Sequence, residues 1–216
     1  MLLNGVHLLP DLSGALICPK ERLVAVSAPI GDPAARQAPA LAAEALKRLT
    51  TVLRQRRPAQ VVWLGAALPN LLSRNSLAKR DVDEIARLCR DHDWHWLGEG
   101  LAAGLPGSAA IELKTAGLTF RAAGLSGSSA LGEVSASPWP VAGLDGTLWP
   151  CFVFDGRRMV IPAFGGRSDG VNVLAPAFAQ MFRRPFNALV LAGNRIVTRP
   201  RARLEPPPPS PIREPA

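Results

Sequence analysis

The chain has 216 residues, of which 48% are hydrophobic, and a formal net charge of +8. It carries enough apolar residues for a core of its own, and no apolar run approaches the roughly eighteen residues of a membrane span. The opening MLLNGVHLLPDLSG lacks the basic flank and small-residue cleavage site of a signal peptide, so a cytoplasmic protein with no membrane partner is expected.

Val6 to Leu8 and Ala15 to Cys18 read as short strands joined through the turn-rich Pro10-Asp11-Leu12-Ser13-Gly14, an opening hairpin. Arg22 to Val26, RLVAV, follows as a buried strand and ends in the loop Ser27-Ala28-Pro29-Ile30-Gly31. From Pro39 to Arg56, Ala42, Ala45, Leu46, Leu49, Val52 and Leu53 recur at helical spacing, with Lys47, Arg48, Arg54 and Arg56 largely on the other face. Pro39 suits a first turn and Pro58 closes the unit. Val61, Val62, Trp63 and Leu64 lie between Pro58 and Gly65 and predict a strand buried on both faces. Ligand crevices of open α/β sheets lie outside the carboxyl ends of such strands. Ala66, Ala67, Leu68, Pro69 and Asn70 therefore stand where a catalytic group is expected, and the first four can neither bind a metal nor move a proton.

Val82, Ile85, Ala86 and Cys89 predict a helix over Asp81 to Arg90, followed by an alternating strand, Asp93 to Leu97, and a glycine-rich loop from Gly98 to Gly107. Beyond it the pattern changes to hairpins. Ile111 to Thr115 and Leu118 to Arg121 flank Ala116-Gly117; Leu148 to Phe154 and Met159 to Ile161 flank Asp155-Gly156; Ala188 to Leu191 and Ile196 to Val197 flank Gly193-Asn194. The second half thus reads as mostly antiparallel sheet. One α/β domain is expected over residues 1–198. Arg199 to Ala216, with RPRARLEPPPPSPIREP, has almost nothing to bury and reads as a disordered, Pro/Arg-rich tail.

Candidate chemistry is sparse. Cys18, Cys89 and Cys151 are scattered among apolar neighbours and read as small core residues. Gly166-Arg167-Ser168-Asp169-Gly170 satisfies a nucleophile-elbow pattern, but His7, His92 and His95 all precede the serine, whereas that fold places its histidine after it. Asp91, Asp93 and His95 alternate beside His92 like a small metal cluster, yet no matching Asp, Glu or His stands at neighbouring strand ends, and solvated polar residues near a turn explain them. Gly98, Gly100, Gly104 and Gly107 lack the spacing and the lysine of a phosphate cradle and read as a flexible loop. Residues 157–216 hold ten arginines against Asp169, Glu205 and Glu214, a basic third that suits the phosphates of a nucleic acid.

With the order of elements in place, RLVAV, VVWLG, DWHWLG, LTFR and the late LWPCFVFDGRRMVIPAFGG followed by GVNVL resemble the calcineurin-like metallophosphoesterases, in particular their ligase-associated DNA-damage-response endonuclease branch, from about Val6 to Leu191. The resemblance implies a four-layer α-β-β-α sandwich of two mixed sheets with a two-metal site at the strand ends. It also shows where the sequence departs from the family. Ser27-Ala28-Pro29 replaces the first Asp-x-His, Gly65-Ala66 the Gly-Asp pair, and Gly98-Glu99-Gly100-Leu101 the Gly-Asn-His-Asp motif. Ala122 replaces a later histidine, and Ala136-Ser137-Pro138-Trp139-Pro140 the Gly-His-x-His-Pro motif. A dinuclear site needs several anionic or imidazole donors from separate loops, so neither catalytic nor metal-binding residues are assigned and no cofactor is expected. The expectation is a degenerate phosphoesterase-fold pseudoenzyme with a binding or structural role, its partner a nucleic acid or a DNA-repair protein. The alternative is an active phosphoesterase or nuclease whose site lies elsewhere or uses unusual ligands such as Asp91, Asp93, His95 and Glu99.

Overall fold

The computed structural model describes residues 1–27, 38–65, 79–98, 105–125, 131–165 and 170–206, with only the backbone from 38 to 42. Among the described residues two large mixed sheets carry the fold. The first has the order β3-β4-β5-β6-β7-β8: β3 (Leu9–Pro10), β4 (Leu16–Cys18), β5 (Leu23–Ser27), β6 (Gln60–Leu64), β7 (Asp93–Leu97) and β8 (Ser108–Ala110). The last four strands are parallel, in registers Val24↔Val61↔Trp94 and Val26↔Trp63↔Trp96. Two helices, α1 (Ala38–Arg56) and α2 (Lys79–Asp91), supply the crossovers after β5 and β6.

The near-continuous apolar text of these strands serves two cores, because successive side chains alternate between faces. Val24, Val26, Val61, Trp63, Trp94 and Trp96 pack with Leu46, Leu49, Leu53, Ile85 and Leu88 of the helices. Trp94 and Trp96 stack at 4.9 Å, and their indole N–H groups donate to the Leu88 and Pro106 carbonyls at 2.9 and 3.1 Å, so neither ring buries an unmet donor. Leu23, Ala25, Val62, Leu64 and Leu97 face the other way, onto Leu118, Phe120, Val134, Phe152 and Met159 of the second sheet.

That second sheet follows the path β15-β12-β13-β14-β11-β10-β9, with β16 on β13 and β17 on β16. Its strands are β9 (Glu112–Thr115), β10 (Leu118–Ala123), β11 (Glu133–Ser137), β12 (Pro140–Leu144), β13 (Thr147–Phe154), β14 (Arg158–Val160), β15 (Val171–Asn172), β16 (Asn187–Ala192) and β17 (Arg195–Pro200). Its outer face carries a third core in which Cys151, Val153, Val160, Ala188 and Val190 meet Phe178, Met181 and Phe182 around the six-residue α3 (Pro176–Met181). This outermost covering is one short helix and its flanks. All three cysteines are buried and free, as core residues.

Several expectations change. Val6 to Leu8 does not open the hairpin: β2 (Val6–His7) pairs with β1 (Leu2–Leu3) in a separate ribbon, and Leu9–Pro10 is the partner of Leu16–Cys18. The second half is mostly antiparallel, as expected, but not wholly so, since β10 with β11, β11 with β14 and β12 with β15 are parallel. Strand β11 is invisible in the hydropathy because Glu133 and Ser135 are polar yet fully buried. The disordered tail does not begin at Arg199. Arg199 and Pro200 finish β17, an edge strand where proline's missing N–H costs no ladder bond. Leu204 is buried, and the Glu205 carboxylate accepts from the Asp145 and Gly146 N–H groups at 3.1 and 2.9 Å. Residues 207–216 lie outside the described residues.

Candidate functional site

Two strands of the first sheet and two of the second end at one place. Gly65 follows β6, Gly98 follows β7, and Ala122, Ala123 and Ser137 close β10 and β11 around a crevice of about 780 Å3. The sheets approach so closely here that a Cβ on Gly98, at φ +142°, would stand 2.7 Å from the Gly65 carbonyl oxygen and 3.3 Å from the Ala122 methyl. Gly107 is similarly confined by Trp94 and Trp96. Both glycines are therefore packing positions, not hinges of a flexible loop; Gly100 and Gly104 lie outside the described residues.

The crevice wall is apolar. Leu64, Ile111, Leu125, Ala136, Trp139 and Val171 contribute to it, and Ile111, Leu125 and Val171 belong to the small set of large apolar side chains the surface leaves exposed. Arg121 is the one charged side chain in the described wall. It is already engaged, in an ion pair with Glu112 and with Nε 3.8 Å from the Glu133 carboxylate. Beneath it, Arg158 Nε stands 2.9 Å from Glu133 Oε1, while the rest of the Arg158 guanidinium donates to the Met181 and Leu125 carbonyls at 2.7 Å each. The Nε–H is not aimed along the 2.9 Å contact, so the pair is held by charge and the carboxylate keeps acceptor capacity unused.

The positions at which the resemblance implies metal ligands fall into two groups. Pro29, Ala66, Glu99 and Gly100 lie outside the described residues, as do positions 166–169 of the nucleophile-elbow pattern and the loop from Ala66 to Asn70. The others gather at the crevice. Ala122, Ser137 and Trp139 line it, and Ser27 ends β5 beside it, fully buried, its hydroxyl donating to the Pro162 carbonyl at 2.7 Å. A methyl group, an indole and an engaged hydroxyl do not fit a metal pair, which calls for carboxylates and imidazoles. Among the described residues no three His, Cys, Asp or Glu side chains gather as a metal would require. Burial pushes the Cys18 and Cys151 thiols up and the Cys89 thiol up to about 12, so none offers a thiolate near neutrality.

Asp91, Asp93 and His95 are not drawn into the crevice. Asp91 pairs with Arg87 at 2.6 Å, and Asp93 opens β7, at the end of the strand remote from Gly98. His95 Nε2 is 3.4 Å from Asp93 and its Nδ1 is 2.8 Å from the Ser108 hydroxyl. His92 Nδ1 meets the Pro58 carbonyl at 2.9 Å.

The basic third is partly internal, since Arg158 is 2% exposed. Arg183, Arg184, Arg195 and Arg203 are exposed and make no ion pair among the described residues. Arg195 and Arg199 share the β17 face of Val197, which packs on the outer core, and Arg201 lies over the Phe186 ring at 5.6 Å.

No protein-family model and no curated protein matches the chain. Among solved structures, the crystal structure of the Pseudomonas putida nuclease MPE is similar, with a TM-score of 0.67 at 18% identity over 92% of this chain and 98% of that one. At that identity the likeness is one of fold.

Proposed function

We propose that this chain is a metallophosphoesterase-fold protein of the ligase-associated branch, built as the α-β-β-α sandwich, that has lost its two-metal site and acts by binding, with nucleic acid as the partner. The observation that carries the reading is the composition of the crevice. Strand ends from both sheets bring Ala122, Ser137 and Trp139 together beside Gly65 and Gly98, and these are positions where the resemblance calls for metal-ligating side chains. Activating water and neutralising a phosphoryl transition state needs two held cations, and among the described residues this wall has no group to hold them. A scaffold that no longer has a metal to balance a cluster of carboxylates is more stable with small and apolar groups there. The arginines beside β17 and α3 suit sequence-independent phosphate contact, and the fold likeness to a nuclease agrees with descent from a nucleic-acid enzyme.

Elemental analysis after dialysis in excess manganese tests the loss of the site: less than stoichiometric metal and no manganese-stimulated phosphodiesterase activity are expected. Two metals per chain, with activity abolished by chelation, would overturn the reading. For the partner, binding to a duplex of arbitrary sequence should weaken steeply with salt and with Arg195→Ala/Arg199→Ala. Binding indifferent to both would remove nucleic acid from the proposal.

A further inference from the structure

A second cavity, of about 590 Å3, lies at the opposite end of the first sheet, where β5, β6 and β7 begin. Arg22 precedes β5, Pro58 precedes β6 and His92 precedes β7, while the last turn of α1 and the carboxyl-terminal half of α2 bring Arg54 and Arg87 to the same rim. The charges do not cancel. Arg87 is neutralised by Glu84 at 2.8 Å and Asp91 at 2.6 Å, and Arg54 shares the field of Glu84. Arg22 and Arg57 have no acidic partner among the described residues. The carboxyl ends of two helices carry about half a negative charge each, which two further guanidiniums exceed.

The backbone adds a second observation. Only five described non-glycine residues have positive φ, and two of them are these arginines, Arg22 at +48° and Arg57 at +45°. Arg57 occupies the position after α1 where glycine is favoured, its N–H donating to the Leu53 carbonyl at 2.8 Å. The Arg22 carbonyl accepts from the Ala59 and Gln60 N–H groups at 2.7 and 3.2 Å, so both left-handed residues are held by surrounding hydrogen bonds. A side chain kept where it strains the backbone points to a use for that side chain.

We propose that this cavity binds a small molecule bearing an oligophosphate. Planar guanidiniums from separate elements match phosphate oxygens in pairs, and unbalanced charge on two arginines calls for a multiply charged anion rather than a lone carboxylate. The volume is that of a small-molecule site, and its floor of Leu53, Pro58 and Leu88, all buried, suits the organic part of such a ligand. The site is independent of the apolar crevice and of the arginines beside β17.

Titration calorimetry of the full chain with tripolyphosphate, without metal, tests it. One saturable site is expected, weaker at about 200 mM than at about 50 mM salt. Arg57→Gly suits φ +45° and Arg22→Asn tolerates φ +48°, so both variants keep the fold while removing the guanidinium. Each should weaken binding about tenfold or more, as loss of a charge-assisted contact does, with Arg203→Ala unchanged. Undiminished binding in Arg57→Gly and Arg22→Asn, equal weakening in Arg203→Ala, or no saturable binding would overturn the proposal. A nucleoside triphosphate should compete with tripolyphosphate; competition by a single-stranded oligonucleotide alone would overturn the small-molecule assignment.

Discussion

Glu133→Ala should cost this fold about 3–5 kcal/mol, the range for removing one partner of a buried ion pair. The two side chains are as desolvated as the fold allows: Glu133 is 0% exposed and Arg158 2%. The Arg158 guanidinium cannot turn to water for relief, because its other nitrogens are committed to the Met181 and Leu125 carbonyls. The nearby Glu112 is occupied by Lys114 and Arg121. Arg158→Met leaves the complementary fault, a buried carboxylate with only Arg121 at 3.8 Å. In the double variant both charges go, so its loss should fall short of the sum of the single losses by about 2 kcal/mol or more. Urea unfolding followed by fluorescence of the five tryptophans reads all four stabilities. A Glu133→Ala loss under about 1 kcal/mol, or additivity within about 0.5 kcal/mol, would refute the claim that this pair is a coupled, buried unit.

Arg57→Gly should raise stability by about 0.5–1 kcal/mol in the same assay, since relief of a left-handed arginine outweighs the added freedom of the unfolded chain. Leu204→Ala should lower it by about 2 kcal/mol, with a fall of several degrees in melting temperature, because Leu204 seals the outer core. Stability should also fall in acid. Burial pushes the Asp11 pKa up, but the Ser13 N–H and hydroxyl and the Arg56 guanidinium together outweigh it and hold it below the ordinary value. Glu84 is lowered chiefly by its hydrogen bonds from Arg87. The unfolded chain therefore binds more protons in acid; the stabilisation is present above the ordinary carboxylate pKa and is lost as pH falls through the folded values. Melting curves from neutral pH downward should show this loss, smaller in Asp11→Asn. Cys18, Cys89 and Cys151 should resist a thiol reagent at mildly alkaline pH in the native protein and react on unfolding, since all three are buried with raised pKa values.

The parallel half of the first sheet was legible because its strands are short apolar runs punctuated by Pro58, Gly65 and Gly98, and because α1 and α2 carry one apolar face each. The hairpins around Asp155-Gly156 and Gly193-Asn194 were legible from turn chemistry: the Asp155 carboxylate accepts from the Arg157 and Arg158 N–H groups at 2.9 Å each. Local signals of this kind act within a few residues, and so survive without knowledge of the fold.

Strand β11 depended instead on a partner far along the chain. Glu133 can be buried only because Arg158 is delivered to it by parallel pairing of β11 with β14, and no window around Glu133 contains that information. The placing of Arg199 to Glu205 is hidden from the sequence for the same reason, since this stretch looks solvent-bound until Leu204 meets the outer core and Glu205 meets the Asp145-Gly146 turn. The sequence by itself determined the α/β half, the turns and the lack of histidine where the resemblance places it, since residue type decides what can ligate. Only the tertiary structure decided that the described members of that set share one apolar crevice, and that Arg22 and Arg57 meet across a cavity. Both are convergences of chain ends distant in sequence, set by sheet register and crossover rather than by neighbouring residues.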